Sequence, residues 1–236
     1  MPNDYFQFKQ FTVSHRLCAM KVGTDGVLLG AWAPVEQARH ILDIGTGSGL
    51  IALMLAQRCQ AEIDAIDIDR TAYEQALLNF QASAWSHRLR AFHQPLQHHV
   101  KERSHCYDLI VSNPPYFTQA LKSGNTHRDR ARHDDTLPLE QLMPQINRLL
   151  TEEGVAAIVY PTEGYPLLAE QAWQCLLYPQ KITKVHHRPD KPSKRTLVTF
   201  SRRHTDYTVD HLFIRNKEQE YTPEYRALCR DFYLAF

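Results

Sequence analysis

The sequence predicts an α/β fold: a mostly parallel sheet with an antiparallel edge strand and helices on both faces, preceded by an N-terminal hairpin and helix. Three observations carry this reading. Apolar runs of strand length alternate with segments of helical periodicity from Ile41 to Leu177. A glycine-rich turn joins the first strong strand to the helix after it, and two strands, Lys181 to His187 and Thr196 to Phe200, follow each other closely near the end. At 236 residues the chain suits one domain, with 1–35 as the N-terminal hairpin and helix, 36–204 as the core and 205–236 as a C-terminal strand and helix.

Composition narrows the class. Hydrophobic residues at 43% and charged residues at 22% fit a globular chain that buries a substantial core. The net charge of +1 (27 − 26) marks no polyanionic partner for the chain as a whole. Between Lys184 and Arg203, however, seven basic residues stand against one acid, Asp190. The five cysteines are scattered and never form a CxxC pair, which argues against a disulfide framework or a structural zinc site. No apolar run approaches transmembrane length, and Met1 to Phe8 lacks the regions of a signal peptide. The expectation is a cytoplasmic monomer without membrane or metal.

Apolar and polar positions alternate on both sides of Ser14-His15, predicting a hairpin over 5–22 that turns there. Gly23-Thr24-Asp25-Gly26 then leads into a short apolar helix stopped by Pro34, with Asp25 or Thr24 available as its cap. The strand Ile41 to Ile44 runs into Gly45-Thr46-Gly47-Ser48-Gly49 and the helical pattern Leu50, Ile51, Leu53, Met54, Leu55. A strand, a glycine turn and a helix N-terminus form a nucleotide-type crevice, because glycines admit a ligand to the backbone and free helix N–H groups favour its polar end. The spacing departs from the GxGxxG of dinucleotide sites, and an acid, Asp43, sits on the strand before the first glycine.

The strand Glu62 to Asp67 ends in an acid about 20 residues past that turn, the place of a ribose ligand, so Asp67 is the expected one. Asp69 reads as the cap of the next helix, through Ala72, Ala76, Leu77 and Phe80. A third strand, Leu89 to His93, leads into Gln94-Pro95-Leu96. A fourth, ending Leu109-Ile110-Val111, delivers Ser112-Asn113-Pro114-Pro115-Tyr116-Phe117 at its carboxyl edge. Two prolines fix φ and leave carbonyls free to accept, and with the Asn113 amide and the Tyr116 ring they make a compact receptor for a planar group bearing an NH2.

The polar stretch 117–135, with Lys122, Arg128, Arg130, Arg132 and His133, reads as a loop beside that face, serving either solvation or substrate contact. Leu139 to Leu150 recur at helical spacing with Glu153-Gly154 as the stop, followed by a central strand Val155 to Tyr160 and a helix Leu167 to Leu177. A last strand lies near Leu212 to Ile214, and Thr222-Pro223-Glu224 starts a helix that presents Tyr225, Leu228, Cys229, Phe232 and Phe236 on one face.

Asp43 to Gly49, Asp67 and Asn113-Pro-Pro-Tyr116 together resemble the Rossmann-fold S-adenosylmethionine-dependent methyltransferases that act on exocyclic or amide nitrogens. Three further stretches, Lys21 to Trp32, Lys191-Pro-Ser-Lys-Arg195 and Tyr221 to Tyr233, resemble the bacterial tRNA1(Val) (adenine37-N6)-methyltransferases, a likeness that spans nearly the whole chain. The resemblance implies a Rossmann-like methyltransferase fold and S-adenosylmethionine as cofactor, bound by Lys21, Asp25, Asp43, Gly45, Thr46, Gly47, Gly49, Asp67, Ile68, Gln94 and Leu96. It also implies catalysis by Asn113, Pro114, Pro115 and Tyr116, and tRNA as the partner. Arg188, Lys191, Lys194 and Arg195 are then phosphate contacts, as is Arg16 in the hairpin, with a solvated turn as the bland reading. One departure is that Gln94-Pro95-Leu96 stands where such enzymes commonly place an Asp for the cofactor's adenine. Two other functions fit the same motifs: methylation of a protein glutamine amide, as in a release factor, and a non-catalytic RNA-binding assembly factor.

Overall fold

The structure, a computed structural model, describes residues 3–18, 20–101, 103–115 and 137–236. Strands β1 (Tyr5–Gln7) and β2 (Thr12–Ser14) precede helix α1 (Thr24–Trp32). Then come β3 (His40–Ile44), α2 (Leu50–Arg58), β4 (Glu62–Asp67), α3 (Arg70–Gln81), β5 (Leu89–His93), α4 (Leu96–His99) and β6 (Tyr107–Ser112). The C-terminal half holds α5 (Leu139–Leu149), β7 (Leu150–Pro161), α6 (Tyr165–Gln174), β8 (Tyr178–His186), β9 (Ser193–Ser201), β10 (Thr208–Phe213) and α7 (Pro223–Cys229).

Eight strands form one sheet in the order β10-β8-β9-β7-β6-β3-β4-β5. β9 is antiparallel to both β7 and β8, and every other pairing is parallel. The expected antiparallel element is thus the β8–β9 hairpin at that side of the sheet, and β10 extends it by lying parallel to β8. The sheet divides the core in two. On one face Leu28 and Leu29 of α1, Leu53 and Met54 of α2, Phe80 of α3 and Phe232 beyond α7 pack with Val111, Ala157 and Leu197. On the other, Leu96 of α4, Ile146 of α5 and Leu168 of α6 pack with Ile110, Ile158 and Val198. Burial on both faces explains why these strands read as continuous apolar runs rather than as alternation.

Three local expectations are corrected. The hairpin turns at Lys9-Gln10, where the Phe8 amide donates to the Phe11 carbonyl at 2.8 Å, and Ser14-His15 lies at and beyond the end of β2. Phe8 and Phe11 both bury and stack on each other, with Phe8 also against Tyr233, so the aromatic cluster sets the register. Helix α1 is capped by Gly23 without a side-chain bond, since Asp25 is held by Arg195 instead. Glu153-Gly154 is not a stop: α5 ends at Leu149 and β7 is already extended at Leu150. Gly154 sits beside the register shift between β6 and β7, where a Cβ would lie 2.9 Å from the Tyr107 carbonyl oxygen. The caps at Asp69 and Thr222 match expectation, each accepting from a backbone amide two or three residues on.

Candidate active site

The parallel strands end on one edge, and their order brings distant residues together. Ile44 of β3 pairs with Ser112 of β6, which pairs in turn with Ile158 of β7. Gly45 and Asn113 therefore leave neighbouring strands side by side, about 5 Å apart across the ladder. Ser112 Oγ donates to the Ile44 carbonyl at 2.9 Å and fixes the two strand ends to each other. Asn113 is half-buried, Pro114 buried and Pro115 exposed. Tyr116 and the stretch 117–135 lie outside the described residues.

The glycine turn is bent toward β4. Gly45 and Thr46 amides donate to the Ile66 carbonyl at 2.9 and 3.1 Å, and the Gly47 amide donates to Asp67 Oδ2 at 2.8 Å. Gly49, at φ +81°, closes the turn as the cap of α2, and a Cβ there would fall 2.5 Å from the Phe80 ring. Both the left-handed backbone and the ring require glycine. A Cβ on Gly45 or Gly47 would instead meet no atom of the described residues within 4 Å, so among them the outer side of the turn is an open cradle.

Two acids line this cradle. Asp43 is wholly buried at the base of the turn, and its Oδ2 accepts from Thr46 Oγ1 at 2.6 Å. Its Oδ1 has no partner among the described residues. Burial pushes its carboxyl up to about 7, against the opposing pull of the Thr46 bond. Asp67 Oδ1 accepts from the Asp69 amide at 2.9 Å, and burial raises its carboxyl too, while its backbone donors lower it. A carboxylate held at strand end by two amides, with lone pairs to spare, suits a diol. The open glycine cradle and the Asp67 carboxylate at its side fit a polar nucleoside ligand.

The remaining sequence candidates divide by position. Ile68 is an exposed apolar side chain next to Asp67, and Gln94 follows β5 with its backbone amide donating to the Asp67 carbonyl at 3.1 Å, so both border the crevice. Leu96 is buried, which leaves its backbone as the group available there. Lys21 is exposed on the segment entering α1. Asp25 and Arg195, assigned different ligands by sequence, are joined by a 2.7 Å bond between Arg195 Nε and Asp25 Oδ2.

The β8–β9 turn, with Arg188, Lys191 and Lys194, lies on the same edge as Asn113, because Arg195 pairs with Pro161 at the end of β7. Lys191 and Lys194 flank the turn without a carboxylate partner among the described residues, and Arg188 pairs with Asp190 at 3.0 Å. Arg16 is exposed beside Asp4, 3.9 Å away. Arg202 and Arg203 belong to the opposite edge, where Arg202 donates to the carbonyls of Asn147, Leu150 and Thr151 and Arg203 pairs with Glu153.

Asn79 and Gln75 also support the site, though neither belongs to a motif in the sequence. Asn79 accepts from the Ser14 amide at 3.0 Å and donates to the Ser14 and Ser48 carbonyls, both at 2.8 Å, tying the N-terminal hairpin to the glycine turn. Gln75 Oε1 accepts from the Leu17 amide at 3.1 Å and continues the seam. The signal was present: both are polar residues within the buried stripe Ala72, Gln75, Ala76, Asn79, Phe80.

Residues 19–163 match the family model described as methyltransferase small domain. The chain is 48% identical over 234 residues to the tRNA1(Val) (adenine(37)-N6)-methyltransferase of Phocaeicola vulgatus, covering 99% of both chains. It is 44% identical over 233 residues to the relative of that name from Yersinia pestis, covering 98% of this chain and 94% of the other. Among solved structures it resembles a predicted O-methyltransferase from Agrobacterium tumefaciens, with TM-score 0.71, 17% identity and coverage of 88% and 96%. A chain from Pyrococcus horikoshii solved in complex with MeSAdo aligns with TM-score 0.59 and 11% identity, covering 85% of this chain and 72% of that one. At those identities the solved structures speak to the fold alone.

Proposed function

This chain belongs to the tRNA1(Val) (adenine(37)-N6)-methyltransferase family, and on that footing we propose that it methylates N6 of adenine 37 in the anticodon loop of tRNA1(Val), in the cytoplasm, with S-adenosylmethionine as donor. The observation that carries the reaction class is the juxtaposition of the glycine cradle with Asn113 on adjacent strands. When bound, S-adenosylmethionine supplies an electrophilic methyl group on its sulfonium.

The chain's part is positioning. Asp67 takes the ribose diol, the turn Gly45 to Gly49 admits the ligand to the backbone, and Ile68, Gln94 and the Leu96 backbone border its adenine. An adenine amino group is a poor nucleophile while its lone pair is delocalised into the ring. By resemblance to enzymes with this motif, Asn113 Oδ1 and the Pro114 carbonyl accept its two hydrogens and Tyr116 stacks on the base, so nitrogen meets the methyl in line. The target base has to leave its stack to reach the sheet edge, and an unpaired anticodon-loop base does so at low cost. Lys191, Lys194 and Arg188 lie on the edge where the RNA backbone would pass.

Asn113→Ala is expected to lower kcat by roughly two orders of magnitude or more while the cofactor Kd changes by less than about two-fold. Full activity in that variant rejects the mechanism. Incubation with labelled cofactor and tRNA lacking the modification tests the substrate by nucleoside analysis. N6-methyladenosine is the expected product, and label found only in protein or in another nucleoside overturns the assignment.

A further inference from the structure

Gln94 opens the segment Gln94-Pro95-Leu96 that the resemblance sets against the cofactor's adenine, and it is the first member of a hydrogen-bonded chain running into the other face of the sheet. Gln94 Nε2 lies 2.6 Å from His99 Nδ1, His99 Nε2 lies 2.7 Å from Tyr107 Oη, and Tyr107 Oη lies 2.7 Å from Asp64 Oδ2. Asp64 is buried in mid-strand and takes two further donors, Arg90 Nε at 2.7 Å on Oδ1 and Arg103 Nη1 at 2.6 Å on Oδ2.

The proton order in this chain has one solution. The Tyr107 hydroxyl has a single proton, and the Asp64 carboxylate facing it only accepts, so that proton points to Asp64. Tyr107 Oη then accepts from its other neighbours, Arg103 Nη1 at 2.8 Å and His99 Nε2. Arg103 Nη1 directs its two protons to Asp64 and Tyr107 and has none for His99 Nε2, 3.2 Å away. His99 therefore carries its proton on Nε2 and presents a bare Nδ1. Burial and the Arg103 charge lower the imidazolium to about 4, so the ring holds one proton only. A bare Nδ1 at 2.6 Å requires the NH2 end of the Gln94 amide, and Gln94 Oε1 is turned away from the ring.

We infer that His99 and Tyr107 are positioning residues for the cofactor's adenine: they lock Gln94 with Oε1 as the acceptor presented to the crevice, which selects a 6-amino purine. The inference rests on the cofactor site proposed above. A free glutamine amide flips and serves a 6-amino or a 6-oxo group alike; this one does not, because Asp64, three links away, fixes its orientation. A 6-oxo purine sets an acceptor against Oε1 and leaves both unpaired.

Calorimetry with S-adenosylhomocysteine and its 6-oxo (inosine) counterpart measures this without turnover. The wild type is expected to favour the adenosyl compound by at least about ten-fold. In Tyr107→Phe the ring and both Arg bonds to Asp64 remain, but the lock is open, and the preference falls to about three-fold or less. His99→Phe should behave likewise. An unchanged preference in both variants, or no preference in the wild type, overturns the inference. Failure of the wild type to bind S-adenosylhomocysteine at all refutes the cofactor site instead. Independently, long-range 1H–15N correlations of His99 in the ligand-free protein, assigned by its absence in His99→Phe, should show the Nε2–H tautomer; the Nδ1–H tautomer overturns the proton order on which the inference depends.

Discussion

Asp43 is a carboxyl group sealed in a strand end with one oxygen bonded to Thr46 and the other unpartnered among the described residues. Its value of about 7 lies well above the ~3.9 of an unfolded chain, so the folded state binds its proton more tightly. The stabilising contribution is therefore complete below about pH 4 and declines as pH rises through about 7. The ligand-free protein should show a falling Tm between about pH 5 and about pH 8, and Asp43→Asn, which keeps the shape but cannot ionise, should show a smaller fall. Equal falls in scanning calorimetry would mean that Asp43 ionises elsewhere. Gly49 carries a different kind of constraint, since an alanine there meets both φ +81° and the Phe80 ring at 2.5 Å. Gly49→Ala should destabilise by about 2–4 kcal/mol in denaturant melts, the combined cost of left-handed strain and overpacking.

At the scale of elements, helix α3 holds the N-terminal hairpin to the glycine turn through one side chain. Asn79→Ala would leave the Ser14 amide and the Ser14 and Ser48 carbonyls without this partner, a destabilisation of about 2–4 kcal/mol. Hydrogen exchange should rise in β1, β2 and residues 45–49 and stay unchanged in β8 and β9; a uniform rise would show that Asn79 serves global stability only. The relation of sequence to structure is clearest at this scale. β4 and β5 run from Glu62 to Asp67 and from Leu89 to His93 as expected, because apolar runs bounded by polar residues are local signals. The hairpin turn is not legible in the same way, because alternation continues through Ser14-His15 and only the tertiary cluster of Phe8, Phe11 and Tyr233 distinguishes the registers. In the site, Asp43, the glycine turn and Asp67 are legible as a strand-turn-helix signal, whereas Asp64, His99 and Tyr107 owe their meaning to bonds across the sheet that no spacing encodes.

At the scale of the whole molecule, the sheet sorts a charge cluster that composition presents as one. β9 runs antiparallel to its neighbours, so the basic stretch Lys184 to Arg203 is split between two opposite edges. Arg202 and Arg203 close the far edge on carbonyls and Glu153, and Arg195 is bonded to Asp25. Lys191 and Lys194, on the edge that carries Asn113, are the cations placed to meet a phosphate backbone. On that placement, Lys191→Glu/Lys194→Glu should weaken tRNA binding by roughly ten-fold or more and lower the slope of log Kd against log salt by about 2, one for each phosphate no longer neutralised. The affinity for S-adenosylhomocysteine should be unchanged, since β7 and β6 stand between β9 and the strand that leads into the glycine turn. Arg203→Glu is the internal control: on the opposite edge, it should leave the salt slope at its wild-type value, and an equal effect from it would mean that RNA responds to net charge rather than to the edge on which the charge is displayed.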